Sequence, residues 1–107
     1  MTFQKIIEDI RNLKIQGSQN IAKAGVQALE IVAYKIRNEK KIFQVHNLNK
    51  AKQILFKTRP TEPALRNSLN YILSNIEIAE DIYTEIITHA QYDIRRLVNI
   101  LEELKLI

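Results

Sequence analysis

One segment of the sequence, TRPTEPALRNSL at residues 58–69, holds the side chains best suited to bind a charged ligand. Arg59 precedes a turn bounded by Pro60 and Pro63, and Pro63 suits the first position of a following helix because proline has no N–H to lose there. The N-terminus of a helix exposes N–H groups and carries partial positive charge, so a guanidinium beside it can bind phosphate or carboxylate. We therefore predict an anion site at Arg59. The alternative is a structural role, in which Arg59 pairs with a carboxylate of the protein.

The rest of the sequence offers little further chemistry. It contains no cysteine, and His46 and His89 are too far apart to belong to one metal-ligand motif. We expect no metal and no cofactor.

The charge of the chain is divided unevenly along its 107 residues, which suffice for one compact domain. Residues 1–59 hold twelve Lys and Arg against four Asp and Glu, and residues 60–107 hold four against eight, so the halves carry +8 and −4. The basic half could attract an anionic partner, or the two halves could attract each other. Because no aromatic residues are interleaved with the lysines, nucleic acid is not the expected partner. No apolar run reaches the ~20 residues of a membrane span, so we expect a cytoplasmic protein without a membrane contact.

Apolar residues recur at helical spacing along the chain, and glycine and proline occur only twice each. The pattern predicts an all-α fold, a five-helix antiparallel bundle with a long C-terminal helix. We expect the first helix at Thr2–Lys14, the second after a Ser18 cap, the third after an Asn47 cap, and the fourth from Pro63. The fifth should run for about thirty residues from Glu77. Its expected core stripe is Ile78, Ile82, Ile86, Ala90, Ile94, Leu97, Leu101 and Leu104.

Two segments resemble the helical N-terminal domain of the initiation factor 2B family. Residues 58–69 are similar to its ARPT and LRNAL motifs, and residues 15–18, with the following IAKAGVQAL, are similar to its I-[RQ]-G-A motif and alanine-rich helix. The family comprises the alpha, beta and delta subunits of initiation factor 2B and the archaeal ribose-1,5-bisphosphate and methylthioribose-1-phosphate isomerases. The resemblance implies that residues 1–107 form a single helical domain and that the family's C-terminal α/β domain is absent.

The resemblance also implies a site. In the isomerases the arginine of the first motif helps to hold the substrate, and it corresponds to Arg59; with the second motif, the implied ligand-binding residues are Gln16, Gly17, Ser18 and Arg59. Isomerases usually carry arginine at the position of Gln16, where the initiation factor subunits carry glutamine, so Gln16 indicates the regulatory branch. The family's catalytic cysteine and aspartate belong to the α/β domain. The chain alone is therefore expected not to be an enzyme.

Our preferred interpretation is a noncatalytic helical interaction module that acts in protein biosynthesis. The resemblance implies contact with the alpha subunit of initiation factor 2, or with a separately encoded α/β domain, through Thr61, Arg66 and Asn67. A phosphate-bearing small molecule is a further expected ligand, at a vestigial or shared site. A domain that is normally covered by a larger partner exposes an apolar face when alone, so a homodimer is also expected.

Two alternatives stay open. The chain could be the N-terminal half of a two-chain sugar-phosphate isomerase of the ribose-1,5-bisphosphate type, which Arg59 and Gly17 favour and Gln16 opposes. It could instead be a basic RNA-binding helical domain, for which the only support is the charge of residues 1–59.

Overall fold

The computed structural model describes the backbone of residues 1–103 and the side chains of residues 1–93. Within that part the chain forms five helices and no strand, which confirms the predicted all-α class. The helices are α1 (Phe3–Arg11), α2 (Ser18–Lys35), α3 (Lys41–Thr58), α4 (Pro63–Leu73) and α5 (Ile82–Glu103). None of these five helices combines the length and the apolar character needed to cross a bilayer.

α2 lies at the centre of the bundle and packs against each of the other four helices, most extensively against α4. Gly25 makes this packing close. A Cβ atom at that position would overlap the Leu65 side chain and lie 3.4 Å from Leu69 Cδ2. The glycine therefore lets α4 approach the backbone of α2.

α1 is shorter than predicted and ends at Arg11 rather than at Lys14. Leu13 adopts a left-handed backbone with φ 63°. The amides of Lys14 and Ile15 donate back to the Asp9 carbonyl, at 2.9 and 3.1 Å. These bonds stop the helix and turn the chain toward α2.

α3 begins at Lys41, well before the predicted cap at Asn47. The cap position is occupied by Lys40, which has an extended backbone and makes no side-chain cap hydrogen bond. The buried Gln44 donates from Nε2 to the Glu39 carbonyl at 2.7 Å and so orders the start of the helix. Residues 41–46, which the predicted cap at Asn47 placed outside the helix, are thus helical.

α5 begins at Ile82 rather than at Glu77. Asp81 Oδ2 accepts a hydrogen bond from the Thr84 amide at 3.3 Å, as a helix-capping aspartate does. Residues 77–81, which were predicted to be helical, belong instead to a turn that spans residues 74–81.

The stripe predicted for this helix is correct only in part. Ile82, Ile86 and Ala90 are buried, but Ile78 is 81% exposed, so its placement in the core was wrong. Its spacing to Ile82 spans a turn, where the helical period does not apply. The side chains of Ile94, Leu97 and Leu101, and the whole of Leu104, lie outside the described residues.

Candidate anion-binding site

A cleft of about 320 Å³ lies between the α1–α2 loop and the corner that joins α3 to α4. The four residues predicted to bind an anion all line it, although Arg59 is distant from the other three in sequence. The residues that line this anion cleft are Leu13, Gln16, Gly17, Ser18, Ile21, Arg59 and Glu62.

One wall of the anion cleft is the N-terminus of α2. Gly17 occupies the cap position with φ 86° and ψ 132°, a conformation that favours glycine. Ser18, which was predicted to cap the helix, is its first residue instead, and no side chain makes a cap hydrogen bond. The first amides of α2 are therefore not satisfied by a capping side chain and can interact with a bound anion.

The α1–α2 loop, which precedes this helix N-terminus, is ordered by the amide side chains of Gln16 and Asn20. Gln16 donates from Nε2 to the Leu13 carbonyl at 2.8 Å, and Asn20 donates from Nδ2 to the Gln16 carbonyl at 3.2 Å. The side-chain amide and the backbone carbonyl of Gln16 are thus both used to hold the loop. Gln16 therefore has a structural role at the cleft that does not depend on a ligand.

The opposite wall is formed by Arg59, which follows the last residue of α3 with φ −145° and ψ 77°. Its side chain is half-buried, and its buried Nε has no hydrogen-bond partner among the described residues. Arg59 also forms no ion pair with any carboxylate of residues 1–93. The structural alternative, an internal salt bridge, is therefore not observed within these residues. A buried donor without an acceptor is costly, and a ligand oxygen would remove that cost.

Arg66 fixes the corner beside Arg59. Its Nε donates to the Pro60 carbonyl at 3.0 Å, and its guanidinium carbon lies 4.6 Å from the centre of the Phe56 ring. The side chain predicted to contact a partner thus has an internal role that ties α4 to the turn and to α3. Thr61 and Asn67, the other two predicted contacts, are exposed.

Glu62 lines the cleft but is not among the predicted site residues. It occupies the cap position of α4 without a side-chain cap hydrogen bond, and among the described residues that line the cleft it is the one carboxylate. Its place three residues after Arg59, in the same turn, was a usable signal. A guanidinium and a helix N-terminus can hold phosphate, while a carboxylate can accept hydrogen bonds from hydroxyl groups.

The sequence matches the initiation factor 2 subunit family over residues 14–106. The chain belongs to that family. It is 37% identical to the ribose 1,5-bisphosphate isomerase of Pyrococcus furiosus over 75 residues, which cover 70% of this chain and 23% of that protein. The corresponding isomerase of Thermococcus kodakarensis is 35% identical over 75 residues, with the same coverage of 70% and 23%.

A putative replication factor C large subunit of Acanthamoeba polyphaga mimivirus is 34% identical over 86 residues, which cover 73% of this chain and 16% of that protein. No solved structure matches. The chain thus spans about a quarter of the length of the two isomerases. Family membership confirms the resemblance, whereas the regulatory branch indicated by Gln16 stays a prediction because these two relatives are isomerases.

Proposed function

We propose that this helical domain is a noncatalytic binding module that holds the phosphate of a ligand between Arg59 and the N-terminus of α2. The observation that carries the proposal is the half-buried Arg59 side chain, whose Nε lacks an acceptor and whose cation lacks a carboxylate among the described residues. Phosphate supplies oxygen acceptors and negative charge together, and hydrogen bonds between charged groups are the strong ones.

A sugar phosphate is the ligand class that suits the remaining residues of the anion cleft. The volume of about 320 Å³ lies at the lower end of the roughly 300–1,000 Å³ of small-molecule pockets. Glu62 would repel a second phosphate placed beside it but would accept a hydrogen bond from a sugar hydroxyl. The isomerases of Pyrococcus furiosus and Thermococcus kodakarensis, named for ribose 1,5-bisphosphate, support a phosphorylated ribose.

The proposed module binds but does not catalyse. Proton-transfer chemistry needs an acid and a base at one substrate, and Glu62 is the one carboxylate that lines the cleft in the part of the chain that the structure describes. An α/β domain, on the same polypeptide or on another chain, would have to supply the missing groups. The exposed Thr61 and Asn67 would contact it at the corner beside the cleft. The same surface suits the second candidate partner, the alpha subunit of initiation factor 2, which the family's name supports.

Calorimetric titration with ribose 5-phosphate, inorganic phosphate and unphosphorylated ribose tests the proposal. The protein should bind the two phosphates and not ribose. Arg59→Ala should weaken phosphate binding about tenfold or more, because a hydrogen bond to a charged group contributes roughly 1.5–3 kcal/mol.

Lys57→Ala is the matched control. Lys57 is exposed near the end of α3, two residues before Arg59, and does not line the cleft. An equal loss of phosphate affinity in both variants would mean that phosphate is attracted unspecifically to positive charge. Unfolding of Arg59→Ala, followed by circular dichroism, would show that Arg59 is a structural residue and would contradict the proposal.

A further inference from the structure

A second concave surface shares no residue with the anion cleft. It is a groove of about 510 Å³ where the start of α1 meets the C-terminal half of α2 and the middle of α3. Its floor is mainly aliphatic, and its charged residues are Lys35 and Lys50, with no carboxylate among the described residues that line it. The residues of this lysine-rimmed groove are Met1, Thr2, Phe3, Ile31, Val32, Lys35, Ile36, Asn47, Lys50, Ala51 and Ile54.

The turn between α4 and α5 has the complementary chemistry. Ile78 is 81% exposed, more than any other large apolar side chain in the described part of the protein. Glu77, Glu80 and Asp81, all exposed, lie around it in sequence. We call residues 74–81 the acidic turn. It presents one aliphatic side chain among three carboxylates, whereas the groove presents an apolar floor beside two ammonium groups.

The acidic turn is held in place from within. Ile76 and Ala79 are 2% and 8% exposed and anchor the turn to the core on either side of Ile78. The Ala79 amide donates to the Asn75 carbonyl at 3.1 Å, and Lys41 Nζ donates to the Ala79 carbonyl at 2.7 Å. Because its backbone is already ordered, the turn would lose little conformational entropy on binding.

We propose that the acidic turn of one copy of this chain docks into the lysine-rimmed groove of a second copy. Ile78 enters the apolar floor, and the carboxylates of Glu77 and Glu80 lie beside Lys35 and Lys50. An apolar centre within a charged rim is the usual anatomy of a protein interface, and the opposite charges of the two surfaces orient the encounter. Both surfaces belong to the same molecule, so a second copy supplies the required partner without any other protein.

Sedimentation velocity between about 1 µM and about 1 mM protein measures this association. The mass should rise above the 12.5 kDa of the single chain, and added salt should weaken the rise. Two reciprocal contacts give a closed dimer and single contacts give longer chains, and either supports the proposal. A single-chain mass over the whole range would overturn it.

Ile78→Asp should abolish the association, because it places a charge in the apolar floor. Ile42→Asp is the matched control: Ile42 is 72% exposed on α3 but does not line the groove, so the variant should associate as the wild type does. Both positions are exposed, and circular dichroism verifies that both variants are folded. Persistent association of Ile78→Asp, or equal loss in Ile42→Asp, would overturn the proposal.

Charge reversal tests the pairing itself. The groove variant Lys35→Glu/Lys50→Glu and the turn variant Glu77→Lys/Glu80→Lys should each stay monomeric, because like charges then meet across the contact. An equimolar mixture should associate again, since each groove meets a turn of opposite charge. Asp81 is left unchanged because it accepts the hydrogen bond from Thr84 at the start of α5. A mixture that stays monomeric would overturn the pairing.

Discussion

Gly17 shapes the anion cleft through its backbone rather than through a side chain. Its φ of 86° is disfavoured for residues with a Cβ atom, although a Cβ there would have ordinary space, with Asn20 Nδ2 at 3.7 Å. Gly17→Ala should therefore lower the free energy of unfolding by about 1–3 kcal/mol through backbone strain alone. Urea denaturation measures the loss, with the exposed neighbour Ser18→Ala as a control that should change stability by less than about 0.5 kcal/mol. Unchanged stability of Gly17→Ala would contradict the observed cap conformation.

Glu30 on α2 is half-buried, and desolvation by burial raises its pKa above the usual value of 4.5. The folded state then binds more protons than the unfolded state above that value, so stability falls as the pH rises through the pKa of the folded state. Glu30→Gln should be more stable than the wild type near neutral pH and equal to it at about pH 3, well below the ordinary pKa, where Glu30 is protonated in both states. Urea midpoints at the two pH values measure this. If Glu30→Gln is less stable than the wild type at both pH values, the Glu30 side chain stabilises the fold where it lies, and the prediction is wrong.

At the scale of single residues, the position of the candidate site was predictable from sequence but its internal contacts were not. Arg59 precedes a turn bounded by two prolines, and Gly17 lies within a motif of the family, so both could be singled out. The left-handed backbone of Leu13 has no signature in that residue type, and the stacking of Arg66 on Phe56 depends on how α3 meets α4. Such contacts are set by packing between elements.

The helices differ from the sequence prediction mainly at their ends. Hydrophobic spacing located all five, although the cap of α3 was predicted at Asn47, well inside a helix that begins at Lys41. The ends depend on a few hydrogen bonds, such as those from Lys14 and Ile15 to the Asp9 carbonyl and from Thr84 to Asp81. Apolar spacing that continued across residues 74–81 hid the turn before α5, and only packing shows that Ile76, rather than Ile78, is the buried residue.

The contact between α2 and α4 depends on Gly25. Alanine would gain about 1 kcal/mol of helix propensity, but its Cβ would displace Leu65, which is fully buried, at a cost of roughly 1–3 kcal/mol. Gly25→Ala should therefore be destabilised by up to about 2 kcal/mol in urea denaturation. Gln27→Ala, an exposed position on the same helix, should stay within about 0.5 kcal/mol of the wild type. A gain of stability in Gly25→Ala would show that Leu65 can move aside freely.

For the molecule as a whole, the central position of α2 assembles the anion cleft. α2 packs against both α1 and α4, so the loop before α2 and the corner before α4 come to the same side of the bundle. Only the family resemblance predicted that these residues lie together, because apolar periodicity identifies buried helix faces but not the order in which the helices pack. The cleft joins a basic segment and an acidic one, as Arg59 and Glu62 lie on either side of the change in charge along the chain.

Titration of the isotope-labelled protein with inorganic phosphate, followed by NMR, decides whether this assembly is one anion site. The backbone amides of Gly17 and Ser18 and the Nε–H of Arg59 should shift together with a single dissociation constant, and Arg59→Ala should remove the shifts at Gly17 and Ser18. Shifts spread over exposed lysines without saturation, while Gly17 and Arg59 stay unchanged, would contradict a phosphate site between α2 and the α3–α4 corner.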